Sequence, residues 1–247
     1  MKPAMFLHVL SCSMKHAIDW SDCKTKDAEN ETAYRRTFFN SPEFMNVTDR
    51  AAGAVALLKR DSRTFTTRLA QTAVGSQPPA IVDMGAGLHA LSNYLPPGFA
   101  YVPVDSVTRV HNDGHQTLIC DLNRRQFPFI NAPVAAYAFL GSFEYILDKL
   151  GVLHQCRKYE APIIMQYLVR RTIKTPTIHW VAPLDVRSMQ EAADIADFEL
   201  MVFLENLKKV SLHEAERACV QPCYFLFEPR LQKVGNLRAS DENMSPR

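Results

Sequence analysis

The chain has 247 residues, a formal net charge of +2, 47% hydrophobic residues and 22% charged residues. This length suits one α/β domain with an added segment and argues against two full domains, while so small a charge argues against a nucleic-acid or anionic-membrane surface. No apolar run reaches the roughly 18 to 20 residues of a membrane span, and Cys12, Cys23, Cys120, Cys156, Cys219 and Cys223 lack the paired spacing of a zinc site, so reduced, buried thiols and a cytoplasmic setting are expected.

Residues 1–32 are polar and weakly periodic and read as a poorly ordered lead-in; the apolar stretch Ala4 to Leu10 is short and broken by His8, which disfavours a signal sequence. Residues 33–78 read as a helical extension acting as a lid and substrate selector. Ser41-Pro42-Glu43 has the cap, proline and acid of a helix start, followed by Phe44, Val47, Ala51, Ala54, Val55 and Leu58 at helical spacing. Asp61 is the expected cap of a second helix with Phe65, Leu69 and Ala73 inside, and Gly75 to Pro79 ends this section.

From residue 79 to 233 short apolar strands alternate with helices, which predicts a mostly parallel sheet covered on both faces. Strands are expected at 80–84, 100–104, 117–121, 134–140 and 161–168, with helices at Tyr145 to Tyr159 and Pro183 to Ile195. Phe198 to Leu204 and Cys223 to Phe227 read as two late strands, the sixth entered by a parallel link and the seventh closing the sheet. Residues 234–247 read as a tail.

The most informative stretch is Ile81-Val82-Asp83-Met84-Gly85-Ala86-Gly87-Leu88, an apolar strand ending in an acid and two glycines before an expected helix. Such a turn lets backbone approach a ligand, and the following helix start offers unpaired N–H groups. Gly85-Ala86-Gly87-Leu88-His89-Ala90 also satisfies G-x-G-x-x-A, so a dinucleotide-binding dehydrogenase is one reading. Asp83, two positions before the first glycine, favours a ligand with a cationic head over a pyrophosphate. Two more strands end in Asp105 and Asp121, placed for ribose hydroxyls and an exocyclic adenine amine.

In the order of Val82 to Gly87, Val104-Asp105, Cys120 to Asn123 and Ala138 to Tyr145, the chain resembles the class I S-adenosylmethionine-dependent methyltransferases over about residues 80–230. The resemblance implies a Rossmann-like, seven-stranded, mostly parallel sheet and S-adenosyl-L-methionine as cofactor. It implies that Asp83 holds the methionine end, that Gly85 and Gly87 leave room for the cofactor, and that Asp105 takes the ribose. Asp121 and Leu122 would frame the adenine, with Leu140 and Gly141 as the floor under the sulfonium. Where the family often has a third small residue this chain has His89, which would crowd the cofactor or aim an imidazole at it, and which keeps a non-catalytic version open.

Methyl transfer from a sulfonium needs positioning and desolvation, and a base only where the acceptor must lose a proton. Glu144 and His179 are the candidates for that work; a solvated acid at a helix start and a surface histidine are the plain alternatives. His111 and His115 read as turn residues, and no metal site is expected. Arg35-Arg36, Arg124-Arg125 and Arg170-Arg171 can hold an anionic substrate, or are solvated charge; Tyr34, Phe38, Phe39, Phe44 and Trp180 can line an apolar lid, or pack the core. The expected function is O- or N-methylation of a small-molecule acceptor, which the arginine pairs allow to be anionic, with no membrane partner and nucleic acid disfavoured by the lack of an Asn-Pro-Pro-Tyr signature. RNA or protein methylation and a non-catalytic cofactor-binding module remain open, with the NAD-dependent dehydrogenase last.

Overall fold

The structure, a computed structural model, describes residues 47–71, 77–107, 113–124, 126–168, 184–204, 206–218 and 222–231. Two helices, α1 (Val47–Asp61) and α2 (Arg63–Gln71), precede β1 (Ala80–Met84), β2 (Ala100–Asp105), β3 (Leu118–Ile119) and β4 (Val134–Leu140). Then come α3 (Lys149–Arg157), β5 (Ile163–Leu168), α4 (Val186–Ile195), β6 (Phe198–Phe203), β7 (Lys209–Val210), α5 (Leu212–Ala218) and β8 (Pro222–Pro229). The strands form one sheet in the order β3-β2-β1-β4-β5-β8-β6-β7. The β3 to β5 strands pair in parallel, and β8 runs antiparallel between β5 and β6.

This is the expected mostly parallel, Rossmann-like sheet, with two corrections. Among the described residues there are eight strands rather than seven, because β6 folds back into the two-residue β7 through Val202↔Val210 and Phe203↔Lys209. The last strand does not close the sheet: it is inserted beside β5, and β7 forms that edge. The composition of β8 explains its place. Cys223, Phe225 and Phe227 are buried on one face and Tyr224 and Leu226 on the other, so this run gains most from a position covered on both sides.

The opposite strand faces lead to two cores. On one face Tyr137, Phe139, Phe143, Tyr167, Phe198, Phe225 and Phe227 pack beneath α3, α4 and α5. On the other, Ile81, Ala136, Ala138, Ile164 and Leu226 meet Ala51, Ala54, Leu57 and Leu58 of α1 and Phe65 of α2. The described part of segment 33–78 is therefore packed on the sheet; residues 33–46 lie outside the described residues.

Ser62, rather than Asp61, separates the two helices. Its hydroxyl accepts from the Phe65 N–H at 3.0 Å and donates to Glu228 at 2.7 Å. Glu228, 1% exposed, also accepts from the Thr64 N–H at 2.7 Å, so the last strand caps the second helix with a buried carboxylate. Among the described residues no helix is long and apolar enough to cross a membrane, and Cys120, Cys156 and Cys223 are buried free thiols.

Candidate functional site

The carboxyl ends of β1, β2, β3 and β4 converge through backbone. At the end of β1, Gly85 N–H and Ala86 N–H both donate to the Val104 carbonyl of β2, at 2.7 and 2.9 Å. Gly85 has φ +78°, and a Cβ there would stand 2.4 Å from Ser142 Cβ, so glycine is required by conformation and by the close approach of the β4 turn. The Ser142 hydroxyl completes that approach by donating to the Met84 carbonyl.

Asp105 closes β2 at 8% exposure, and its Oδ2 accepts from the Gly87 N–H at 3.1 Å. Gly87 has φ +51°, and a Cβ on it would meet little, its nearest neighbour lying 3.9 Å away. The space over the second glycine is thus open, as a ligand cradle requires. Cys120 N–H donates to the Asp105 carbonyl at 2.9 Å, which seats Asp121 beside the end of β2.

Asp83 points to the α1 face of the sheet, on the same side as Tyr101 and Asp105. It is 4% exposed and accepts from the Tyr101 hydroxyl at 2.7 Å. Burial pushes its carboxyl up to about 7, the Tyr101 hydrogen bond opposes that rise, and the nearby Asp105 charge adds to it. Tyr101 is the partner that the sequence reading missed. A tyrosine two residues before Pro103, which pairs with Asp83, shares its face by strand parity, and that was the available signal.

His89 does not crowd the glycine turn. It takes the left-handed conformation at φ 57° and is 2% exposed, with Nδ1 2.8 Å from Asp113 Oδ2, Nε2 3.1 Å from the Thr117 hydroxyl, and its ring edge-on to Tyr101. The expected helix after the turn is a short 3-10 helix, Ala90–Tyr94, so no long helix dipole faces the site.

Asp121 is engaged locally: Oδ1 accepts from the Asn123 N–H at 3.0 Å and Oδ2 pairs with Arg124 at 3.2 Å. Leu122 packs half-buried against the core. Asn123, not singled out from sequence, clamps two turns together. Its Nδ2 donates to the Tyr145 carbonyl at 2.9 Å and its Oδ1 accepts from the Leu147 N–H at 2.8 Å. Leu140 ends β4 half-buried, and Gly141 follows at φ +85°, its N–H donating to the Gln166 carbonyl at 3.2 Å.

Glu144 lies in the 3-10 turn Phe143–Tyr145 and is 5% exposed, which removes the solvated reading. Its charge supports that of buried Lys149, whose ammonium burial lowers to about 8 and which donates to the Ile146 carbonyl at 2.6 Å. His115 is exposed, edge-on to Tyr101 at 5.0 Å. His179, His111, Tyr34, Phe38, Phe39, Phe44, Trp180, Arg35, Arg36, Arg125, Arg170 and Arg171 lie outside the described residues.

The glycine turn and the strand-end acids lie at the carboxyl ends of the neighbouring strands β1, β2 and β3. The fold is that of the class I S-adenosylmethionine-dependent methyltransferases. The plantazolicin methyltransferase BpumL in complex with SAH is similar at a TM-score of 0.58 and 14% identity, covering 92% of this chain and 100% of that one. BpumL with a monoazolic desmethylPZN analog and SAH gives a TM-score of 0.59 at 14% identity, with 92% and 100% covered. The CcbJ methyltransferase from Streptomyces caelestis gives 0.49 at 8% identity, covering 68% of this chain and 90% of that one. No family model and no curated protein matches the sequence. At these identities the likeness establishes the methyltransferase fold alone.

Proposed function

We propose that this protein is an S-adenosyl-L-methionine-dependent methyltransferase acting on a small-molecule acceptor at oxygen or nitrogen, in a cytoplasmic, reducing setting that its buried free thiols favour. One observation carries the reading: on this methyltransferase fold, Asp83 is a buried carboxyl whose one described hydrogen bond is to Tyr101. Burial alone would keep such a group neutral, whereas an ammonium beside it favours the ionised form. That suits the amino-acid end of the cofactor. The open space over Gly87 and the buried Asp105 suit its nucleoside end.

In this reading Asp83 holds the ammonium, Asp105 the ribose hydroxyls while fixing Gly87, and Asp121 and Leu122 flank the adenine. Leu140 and Gly141 form the floor at the reacting end. When bound, the cofactor supplies an electrophilic methyl group on a sulfonium. The protein's own work is to fix the strand ends by the Ser142, Asn123 and Asp105 hydrogen bonds, so that the acceptor meets the methyl group in line with little solvent between them. Glu144 and His179 remain the proposed groups for handling an acceptor proton; for Glu144, burial against Lys149 favours an electrostatic role over direct abstraction. With His89 bonded to Asp113 and Thr117, the reason for a non-catalytic site loses weight.

Titration calorimetry with S-adenosylmethionine, S-adenosylhomocysteine (SAH) and NAD tests this. We expect micromolar-scale binding of the sulfur compounds, on the order of 8 kcal/mol, weakened by Asp105→Ala. Tight NAD binding with no response to SAH would reject the assignment.

A further inference from the structure

The floor residue Gly141 has two side chains beside it that the cofactor reading does not use. Gln166 of β5 is paired in register with Leu140 of β4 and Tyr224 of β8, so the three share the face on which α1 packs. It is 3% exposed, and among the described residues its side-chain amide makes no hydrogen bond. Its amide is therefore available to an incoming donor or acceptor. Its Oε1 lies 3.9 Å from the point that a Cβ on Gly141 would occupy, and Nη1 of Arg50 lies 3.8 Å from the same point. Glycine at 141, held at φ +85°, is what leaves that point open.

Arg50 is held there by its backbone. The Tyr224 hydroxyl donates to the Arg50 carbonyl at 3.2 Å across 174 positions of chain. A Cβ at position 53 would stand 2.7 Å from that hydroxyl, so Gly53 is what admits the phenol to the helix. The helical turn bearing the guanidinium is thereby docked onto the strand next to Gln166.

We propose that Arg50 and Gln166 form the acceptor subsite, and that the acceptor is a small molecule carrying a carboxylate or phosphate beside the N–H or O–H that is methylated. The guanidinium takes the anion, bidentately where geometry allows, and the amide oxygen accepts from the nucleophile's own hydrogen. An amide is no base at neutral pH, so Gln166 orients the nucleophile's lone pair toward the floor at Gly141 while the sulfonium leaves as the thioether, and the nucleophile's proton passes to water. This rests on the methyltransferase reading above, and it adds the substrate class and the residues that select it.

The test uses the full chain saturated with SAH and four probes: 4-aminobutyrate and phosphoethanolamine, which carry both groups, and butylamine and butyrate, which carry one each. Binding is read by calorimetry and by the Gln166 side-chain amide resonances in NMR. The bifunctional probes should bind at least about tenfold more tightly than either monofunctional one and shift the Gln166 resonances. Arg50→Gln should reduce them to the level of butylamine, and Gln166→Leu to the level of butyrate, with SAH affinity within about twofold of wild type in both. Gln166→Glu, which preserves shape and keeps an acceptor for the probes' ammonium, guards against a folding artefact and should bind both bifunctional probes more tightly than Gln166→Leu does. Equal binding of all four probes, no binding of any, or unchanged binding in the variants overturns the subsite. Failure of wild type to bind SAH, read before any probe is added, overturns the methyltransferase reading and the subsite with it.

Discussion

On the β5-β8-β6 side of the sheet, Tyr167 meets Phe225 and Phe198 meets Phe227 in edge-on ring pairs, all four fully buried. On the β3-β2-β1 side the buried groups include Asp83, His89, Asp105 and Thr117, while Leu88, Val107, Leu118 and Ile119 stay exposed. One half is closed mainly by apolar packing, with Gln166 and Glu228 as its buried polar side chains. The other keeps polar groups inside and apolar ones outside, a reversal that a cationic, purine-bearing ligand would correct. The contrast separates where the molecule is mainly held together from where the cofactor's nucleoside is proposed to sit.

The largest effect that would sharpen this contrast belongs to the packed half. Phe225→Ala should cost about 3 to 5 kcal/mol of stability in urea unfolding, while the folded fraction keeps wild-type SAH affinity. In the open half the sign reverses. Asp83 holds its proton more tightly folded than unfolded, so between about pH 4 and pH 7 the folded state binds more protons and loses stability as pH rises. Asp83→Asn should therefore stabilise the ligand-free protein at pH 8, by up to about 4 kcal/mol for a rise of this size, and make no such difference at pH 4. A stability loss at pH 8 would mean that Asp83 is paired with a cation inside the protein.

Smaller effects probe the crevice itself. Asp105→Asn keeps one acceptor for the Gly87 N–H but loses the charge; SAH affinity should fall about 10- to 100-fold with little change in unfolding midpoint. Ser142→Ala removes the hydroxyl that ties the β4 turn to Met84 and should cost about 1 kcal/mol, seen as faster amide exchange at Gly85 and Ala86.

The strands at 80–84 and 134–140 were legible because both faces of each are buried, so an unbroken apolar run marks them. The position of β8 was not read, although Cys223 to Phe227 is the same kind of run, whereas β6 interrupts its pattern with exposed Glu199. Continuity of apolar residues distinguishes an inner strand from an outer one better than chain order does. The two-residue β3 and β7 are too short to carry a period. The helix expected after Gly87 has only eight residues before Pro96 and Pro97 stop it, room for the 3-10 turn that forms. The strand-end acids and glycines were readable as a motif. Tyr101, Asn123 and Gln166 were not, because each acts through a partner 18 or more positions away or through a neighbouring strand.

The account turns on a buried carboxyl that gives up its proton when the ammonium of the ligand's amino-acid end arrives. Calorimetric titration of SAH at pH 6.5, in buffers of different ionisation enthalpy, measures this directly. Release of roughly 0.8 proton per SAH bound by wild type, as a group titrating near 7 requires, and none by Asp83→Asn, is the predicted result. Binding without proton release, or equal release from both proteins, would contradict it.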